Sequence, residues 1–585
     1  MTNAARRGGS LTWDAPPGDW TVLRIGHGWT GSMPGPTAKG QSGPEIDYLN
    51  KEAVRFHFDA MVKPLNQAPG GAGPGTLVAT HIDSWEGGGL NWSRTLPEAF
   101  QRSRGYDLTP WLPVIAGRIV GDRDRSNRFL ADLRKTIAEL MAAQKYAALS
   151  SLAANRGLGT HCEAGGPHIG PFDALTNLGQ QTAPMGEFWV PSPHRPKEEN
   201  RFFMKTPASA AHLYGKRVVC GEGFTSVGPH WNDSLWSAQK PTFDHEACAG
   251  LNLTYWHAFT CSPASAGIPG QEYFAGTHFN PQITWAGMAQ GIIGYLNRCQ
   301  ALLQRGLPVS DVLVYVGDHA PNVPGRKQAA PAGILPGFDF DWCNEDALLN
   351  RITARDGLLV LPDGVSYKAL VLPDHGILSL PVARKLREFV KAGVAITGPK
   401  PTRTASLSGW PESEVELKSI ADELWQKDCI VTGLTASELM TKRGVDYIDG
   451  EGEAAMYGPK IEEWIGKPLS LLPDKTKNPQ GAMIDTVDRG FAGGIERRHD
   501  DCVRIAHAAG EFVEQVLDAD RQTGQRTDAD QLRHADAVAQ QGDHRSRADH
   551  GCRPFECAAE AGRPQHVKRE EQRQIEDHAD HRRGD

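Results

Sequence analysis

The sequence predicts an α/β protein in which a (β/α)8 TIM-like barrel is followed by a doubly wound, flavodoxin-like α/β domain, with a short β remnant at the N-terminus. Three observations indicate this architecture. Between residues 44 and 307, helical stretches alternate with short apolar runs that end in polar residues. A second, shorter alternation fills residues 308–485. Two apolar runs joined by a Pro-Pro-Gly-Asp turn precede both.

The N-terminal segment, residues 1–43, carries the apolar runs LTW and WTVLRIG on either side of that turn. This pattern predicts a β-hairpin. Because a lone hairpin is only marginally stable in water, we interpret it as the remnant of a β domain whose earlier strands are missing from this chain.

The predicted barrel, residues 44–307, contains four apolar runs of strand length, within 76–86, 158–166, 217–226 and 251–260. A long helical stretch at about 125–155 separates the first two. Four of the eight strands of a barrel are therefore recognisable from their pattern.

The predicted second domain, residues 308–485, alternates the strand-like runs SDVLVYVG, KALVLPD and VAITG with the helical segments NEDALLNRI and PVARKLREFVKAG. This pattern is typical of a doubly wound sheet. It contains neither GxGxxG nor GxxxxGK[ST], so it indicates no dinucleotide or nucleoside triphosphate site. We expect a role in packing or oligomerisation, and the oligomeric state stays unknown.

The last segment, residues 486–585, has a different composition. From residue 491 onward it holds one Lys against fourteen Arg, with eight His and few large aliphatic residues. No apolar periodicity is left, which predicts a disordered tail or a stretch translated out of frame. We therefore assign no metal site to its histidines, His544, His550 and His566.

Composition excludes several classes of protein. The net charge of -8, with acidic and basic residues mixed evenly, argues against a nucleic-acid partner. Mean hydropathy is -0.43 and no run approaches the length of a membrane span. The ten cysteines lack CxxC spacing and are expected to be reduced packing residues. The first residues have no apolar signal region, so the chain as written is expected to be cytoplasmic.

Acidic residues follow the predicted barrel strands. Asp83 and Glu86 come after the first run, Glu163 after the second, and Glu222 lies in the third, while Glu187 lies in the connection between the second and third. Catalytic groups of such barrels come from the C-terminal ends of the strands. Cleavage of a glycosidic bond needs one protonated and one ionised carboxyl group. The pattern therefore predicts a carbohydrate substrate.

Aromatic residues and histidines accompany these acids. The predicted apolar floor for a sugar ring comprises Trp85, Trp189, Trp231 and Trp256. His161, His257 and Asp83 are predicted to bind hydroxyl groups, and His161 and Glu163 point to the same face of a strand, where they could share a hard cation. The alternatives are that the acids are helix N-caps and that the histidines are buried packing residues.

A series of motifs in order resembles the α-L-rhamnosidases of glycoside hydrolase family 106 over about residues 12–400. The motifs are WTVLRIGHGWTG, HIDSWEGG with NWS, RGYDLTPWLPVIAGRIV, EAGGP, PMGEFW, GEGFTS, DFDWCNEDALLNRI and GLLVLPDGVSYKALVLP. The resemblance implies hydrolysis of terminal α-L-rhamnosides with inversion, assisted by Ca2+. Inversion requires carboxyl groups about 6.5–9.5 Å apart.

The resemblance also implies roles for individual residues. Glu86, Glu187 and Glu222 would supply the acid and the base, without a choice among them, and Glu163, Asp83 and His161 would bind sugar or calcium. Full-length family members are expected to be periplasmic or extracellular.

Two alternatives stay open. A β-galactosidase-like barrel would retain the anomeric configuration, with carboxyl groups about 5–5.5 Å apart. A non-catalytic remnant of a disrupted glycosidase gene would keep the barrel without its chemistry.

Overall fold

The computed structural model describes residues 13–33, 43–67, 76–87, 89–165, 170–190, 204–226, 238–268, 270–271, 273, 279–283, 285–331, 333–334, 338–426 and 429–444. The chain divides into Met1–Val513 and Glu514–Asp585, and every described residue belongs to the first unit. The predicted tail at 486–585 and Trp231 lie outside the described residues. None of the described helices is long and apolar enough to cross a membrane.

Five parallel strands form the first sheet in chain order. They are β1 (Ala79–Ile82), β2 (Gly159–Cys162), β3 (Ala183–Trp189), β4 (Cys220–Thr225) and β5 (Leu253–Trp256). The sheet is curled, because the ring of His161 on β2 stacks on Tyr255 of β5 although two strands separate them. Sequential parallel strands in a curled sheet are typical of a (β/α) barrel. Closure with eight strands stays a prediction.

Helices connect these strands. They are α1 (Lys51–Gln67), α2 (Leu96–Arg104), α3 (Leu112–Ile115), α4 (Arg123–Leu140), α5 (Ala147–Ala154), α6 (Ala174–Gly179), α7 (Lys205–Tyr214), α8 (Lys240–Cys248) and α9 (Gln290–Leu303). A π-helical turn, Met141–Tyr146, joins α4 to α5, so the long helix predicted before the second strand is confirmed. Asp122 caps α4 by accepting a hydrogen bond from the backbone N–H of Arg125 at 2.8 Å.

A second parallel sheet contains β6 (Val312–Tyr315), β7 (Phe340–Cys343), β11 (Ala369–Val371) and β12 (Ala395–Thr397), in the order β12-β11-β6-β7. Along the chain between β7 and β11, three strands form a separate antiparallel sheet. They are β8 (Thr353–Arg355), β9 (Leu358–Val360) and β10 (Ser366–Tyr367). The accompanying helices are α10 (Glu345–Asn350), α11 (Leu380–Lys391), α12 (Glu412–Gln426) and α13 (Ala436–Lys442). A separate flavodoxin-like domain stays a prediction.

One hydrophobic core crosses the predicted boundary between residues 307 and 308. Phe129 of α4 and Leu175 of α6 belong to the same buried cluster as Leu313 of β6 and Leu370 of β11. A second cluster contains Phe188 of β3, Phe224 of β4 and Leu296 of α9. The strands that carry the predicted site are therefore supported by the second sheet as well as by their own helices.

A buried carboxylate also ties α7 to the second sheet. Asp341 of β7 is 0% exposed. It accepts hydrogen bonds from Lys205 at 3.2 Å, Ser209 at 3.1 Å and Tyr367 at 3.0 Å, and its Oδ2 lies 2.9 Å from His212 Nδ1. Burial alone would raise the pKa of this carboxyl, but His212 and Lys205 hold it well below its usual range.

Several differences from the sequence-based prediction concern strands. The four predicted barrel strands are confirmed as β1, β2, β4 and β5, whereas β3, β7 and the antiparallel strands β8, β9 and β10 were missed. The β3 segment APMGEFW contains Pro, Gly and Glu, which lower β propensity, and its burial between β2 and β4 overrides that preference. The predicted hairpin is not formed in the part of it that the structure describes, because residues 13–33 contain no strand and expose Trp20 and Val22.

Candidate active site

Three glutamates meet at the ends of adjacent strands. Glu187 of β3 faces Glu222 of β4 in the parallel register. Glu163 follows β2, and its backbone N–H donates to Ile82 of β1 at 3.0 Å. Side-chain oxygens of Glu163, Glu187 and Glu222 all lie within 4.8 Å of one another. We call these three residues the glutamate cluster. The structure thus brings together three of the predicted site residues.

Glu163 is the most buried member of the glutamate cluster. Its side chain is 0% exposed, and neither carboxylate oxygen has a hydrogen-bond partner among the described residues. Burial raises its pKa well above the usual range, and the charges of Glu222, Asp83 and Glu187 add to that effect. A buried carboxylate without a donor is costly, because nothing replaces the water that it lost. The position therefore needs either a proton or a cation.

Glu222 is the more accessible member, with 16% of its side chain exposed. Thr225 donates a hydrogen bond from its hydroxyl to Glu222 Oε1 at 2.9 Å, and its oxygen also lies 3.1 Å from His257 Nδ1. The same ring nitrogen of His257 is 3.6 Å from Glu222 Oε1. Thr225 and His257 therefore fix the orientation of this carboxylate. The sequence predicted His257 but missed Thr225.

Glu187 is 6% exposed, and a residue of its own strand fixes the orientation of its carboxylate. The indole N–H of Trp189 donates to Glu187 Oε1 at 2.6 Å. Residues two positions apart on a strand point to the same face, so this contact follows from the local sequence EFW. Trp189 was predicted to form part of the apolar surface under a sugar ring, and its hydrogen bond to Glu187 places it beside the glutamate cluster.

His81, His161 and Tyr255 form a stacked column of rings on the same sheet. The ring centroids of His81 and His161 are 4.7 Å apart, and those of His161 and Tyr255 are 4.6 Å apart with an interplanar angle of 4°. Burial and the neighbouring His81 lower the pKa of His161 to about 4, so the ring of His161 is neutral at pH 7. Tyr255 faces Glu222 in the strand register and is 40% exposed. Tyr255 was not predicted from the sequence.

The remaining predicted acids lie on the loop that follows β1. Side-chain atoms of His81, Asp83 and Glu163 form a second group whose members lie within 4.8 Å of one another. Glu86 lies three residues further on and accepts a hydrogen bond from the Ser84 hydroxyl at 3.3 Å. Glu86 and Asp83 are both exposed, so this loop offers carboxylates at the edge of the glutamate cluster.

One of the predicted floor tryptophans is a core residue, and another is half-buried against the second hydrophobic cluster. Trp85 is 3% exposed and packs edge-on against Tyr48 and Phe172. Trp256 points away from the face that carries Tyr255, since neighbouring strand residues alternate. Its ring packs on that of Phe224, with the ring centroids 4.3 Å apart. Trp85 therefore has no open ring face in this structure, and the sugar contact of Trp256 stays a prediction. The exposed ring beside the glutamate cluster is Tyr255.

A buried lysine holds Trp85 in place. The ammonium group of Lys145, on the π-helical turn, lies 4.6 Å from the ring centroid of Trp85, 4.2 Å from that of Tyr48 and 4.9 Å from that of Tyr146. Burial lowers the pKa of Lys145 to about 8. Cation–π contacts of this kind stabilise a buried cation. They anchor the loop that carries Asp83 and Glu86.

Carboxyl groups gathered on parallel, barrel-type strands are the arrangement that glycoside hydrolases of this fold use. The family model for glycoside hydrolase family 106, described as alpha-L-rhamnosidase, matches residues 1–450. The chain belongs to this family.

Two proteins are similar to the chain over most of its length. A protein of Formosa agariphila named "Putative beta-glucuronidase" is 32% identical over 473 residues, which cover 80% of this chain and 38% of that protein. The solved rhamnosidase from Novosphingobium sp. PP1Y is 29% identical with a TM-score of 0.65, over 71% of this chain and 41% of that chain. The chain thus spans less than half the length of either relative.

Proposed function

We propose that the glutamate cluster is the catalytic centre of an enzyme that hydrolyses terminal α-L-rhamnosides. The observation that carries the proposal is the convergence of Glu163, Glu187 and Glu222 within 4.8 Å at three neighbouring strand ends. Family membership and the similarity to a solved rhamnosidase support the choice of sugar.

The proposed mechanism is a single displacement with inversion. One carboxylic acid gives its proton to the glycosidic oxygen, while a carboxylate on the other face removes a proton from the water that attacks the anomeric carbon. Inversion needs a separation of about 6.5–9.5 Å to accommodate that water. Within the glutamate cluster, one side-chain oxygen of each residue lies within 4.8 Å of the others, whereas the exposed Glu86 lies outside the cluster, on the loop after β1. We propose that Glu222, the accessible member, works with Glu86.

Calcium fits the surroundings of Glu163. Its two carboxylate oxygens are buried without partners among the described residues, and it belongs to both groups of possible ligands. Hard cations prefer carboxylate oxygens. We propose that Glu163 would hold the ion together with Glu187 on one side and Asp83 on the other. Bound there, Ca2+ supplies positive charge that orients sugar hydroxyl groups and offsets the buried carboxylates.

One observation favours a second mechanism. Glu187 and Glu222 are register partners with side-chain oxygens no more than 4.8 Å apart. That is close to the separation of about 5–5.5 Å at which the second carboxylate attacks the sugar and the configuration is retained. In this alternative Glu187 or Glu222 would be the nucleophile, and Glu86 would have no catalytic role.

The test uses the purified chain with p-nitrophenyl α-L-rhamnoside, β-D-glucuronide and β-D-galactoside, each with CaCl2 and with EDTA. We expect calcium-dependent release from the rhamnoside alone. Proton NMR of the first product then distinguishes the mechanisms, since an α-rhamnoside gives β-L-rhamnose on inversion and α-L-rhamnose on retention. Preferential cleavage of the glucuronide would overturn the choice of sugar, and no release from a folded chain would favour the non-catalytic remnant.

A further inference from the structure

A buried lysine lies beside the loop that follows β1. Lys145 is 7% exposed, and its ammonium group is 4.2 to 4.9 Å from the ring centroids of Tyr48, Trp85 and Tyr146. We call these three rings the aromatic cage. Lysine is almost never buried without a partner, and ring faces attract a cation in place of water. A methionine would fill the same space without the cost of burying a charge. The charge therefore indicates a role other than packing.

The backbone that carries Lys145 is also unusual. Met141–Tyr146 form a π-helical turn between α4 and α5. Such a turn holds an extra residue in the helix, and it occurs frequently at functional sites. Lys145 and Tyr146 are adjacent in this turn, and both are buried. The π-helical turn thus supplies both the cation and one ring of the aromatic cage.

The indole of Trp85 fills a slot that two glycines leave open. A Cβ atom at Gly87 would lie 3.0 Å from the indole ring, and one at Gly170 would lie 2.7 Å from Trp85 Cδ1. Tyr48 and Phe172 pack edge-on against the same ring. Packing as close as this leaves a side chain little freedom to shift. The ammonium group over the ring is one of the groups that define its position.

Trp85 directly precedes Glu86, the proposed partner of Glu222. Glu86 is exposed and accepts a hydrogen bond from the Ser84 hydroxyl at 3.3 Å. Because the peptide unit between neighbouring residues is rigid, a shift of Trp85 also moves the backbone of Glu86. A misplacement of about 1 Å that begins far from the chemistry can cost about 100-fold in rate. Lys145 is therefore connected to the reaction through a single residue.

We propose that Lys145 is a positioning residue, whose positive charge holds Trp85 in the aromatic cage and thereby holds Glu86 at the edge of the glutamate cluster. Lys145 acts through Trp85 and does not contact the sugar. The catalytic role of Glu86 rests on the proposed function, whereas the effect of the charge on the loop does not.

The charge of Lys145 changes in an accessible pH range, because burial lowers its pKa to about 8. Among the described residues, the titratable groups that face it are Glu45 and Tyr48 from the segment before α1, Tyr146 of its own turn and Cys162 of β2. Burial raises the pKa of Tyr48, Tyr146 and Cys162, so these three groups stay neutral around pH 8. Lys145 is therefore charged below about pH 8 and neutral above it.

The first test compares Lys145→Met with the wild type in the hydrolysis of p-nitrophenyl α-L-rhamnoside. Methionine keeps the bulk of the side chain without its charge. At pH 7, kcat should fall about 10- to 100-fold, with KM changed less than about twofold. The ratio of the two kcat values should shrink above about pH 8, where the wild-type lysine is also neutral. A ratio that does not depend on pH would reduce Lys145 to packing and overturn the proposal.

A second comparison asks whether the effect passes through Glu86. In a Glu86→Gln background, Lys145→Met should lower kcat by less than about twofold, because residues that act as a unit are not additive. The matched control is Lys385→Met on α11, which removes an ammonium group 5.4 Å from the ring centroid of Phe389. It should leave kcat unchanged in both backgrounds. Equal losses for Lys145→Met in the two backgrounds would overturn the proposal.

Crystal structures separate this proposal from the proposed function. In Lys145→Met at pH 7, Trp85 and the loop 83–87 should differ in position from the wild type, whether or not the chain hydrolyses rhamnosides. An identical loop in the two structures would overturn the positioning role. An unchanged kcat in Glu86→Gln would instead remove Glu86 from the proposed function, and the crystal structures alone would then decide on Lys145.

Discussion

Trp85 lies in the core and Tyr255 is exposed beside the glutamate cluster, so we predict opposite behaviour for substitutions of the two, with Tyr255 contacting the sugar. Trp85 is 3% exposed, packs on Tyr48 and Phe172, and lies over the Lys145 ammonium group. Replacing a buried Trp with Ala costs about 3–5 kcal/mol. Because total stability is about 5–15 kcal/mol, Trp85→Ala should lower the unfolding midpoint substantially. Tyr255→Ala, at a residue 40% exposed, should cost under about 1 kcal/mol.

The assay combines denaturant unfolding, followed by circular dichroism, with the kinetics of p-nitrophenyl α-L-rhamnoside hydrolysis. Tyr255→Ala should raise KM while the unfolding midpoint hardly changes. Trp85→Ala should shift the midpoint, and Trp85→Phe keeps a ring in the core in case the alanine variant does not fold. If Trp85→Phe kept wild-type stability and raised KM alone, Trp85 would contact the sugar and the reasoning from burial would be wrong.

Three further predictions concern the buried network, Glu222 and calcium. Asp341→Asn should destabilise the chain by about 1.5–3 kcal/mol, because it removes the buried charge that faces His212 and Lys205, although Lys205 keeps Asp339 at 3.4 Å, whereas the exposed Asp356→Asn should have no effect. The pKa of Asp341 is lowered on folding. In chemical denaturation, the difference in unfolding free energy between the wild type and Asp341→Asn should therefore be complete above about pH 4 and should shrink as acid protonates the carboxyl group. Thr225→Val removes a hydrogen bond to Glu222, worth about 1.5–3 kcal/mol for a charged acceptor, so kcat should fall about 10- to 100-fold with little change in KM; an unchanged kcat would contradict the positioning role. Calcium at a hundredfold excess over its Kd should stabilise the folded chain by about 2.7 kcal/mol, and a Tm that does not respond to EDTA would argue against a bound ion.

The sequence pattern was sufficient to predict where the carboxylates would meet. Glu163 and Glu222 each end a short apolar run flanked by glycine, and parallel strands bring such ends to one edge. Glu187 was harder to place, because its strand contains Pro184 and Gly186, which lower β propensity. Pairing with β2 and β4 stabilises this strand instead. The i and i+2 spacing of His161 and Glu163 predicts a shared face, and in the structure His81, the register partner of His161, lies within 4.8 Å of Glu163.

Burial of individual rings could not be predicted in the same way. Trp256 and Tyr255 are adjacent and both aromatic, so the sequence could not tell which of them points to the glutamate cluster. Only the register of β5 on β4 decides it, since Tyr255 faces Glu222. Lys145 was missed because a lysine inside a helix is usually exposed, and its aromatic neighbours come from distant parts of the chain.

The most direct test of the central claim is the rate of p-nitrophenyl α-L-rhamnoside hydrolysis by Glu222→Gln in calcium. The matched control is Glu98→Gln, at an exposed residue that pairs with Arg102 on α2. Removing a general acid or base typically costs about 100- to 10,000-fold, so we predict a loss of that size for Glu222→Gln and none for the control. A Glu222→Gln variant that keeps more than about a tenth of the wild-type rate would contradict a catalytic role of this carboxylate at the glutamate cluster.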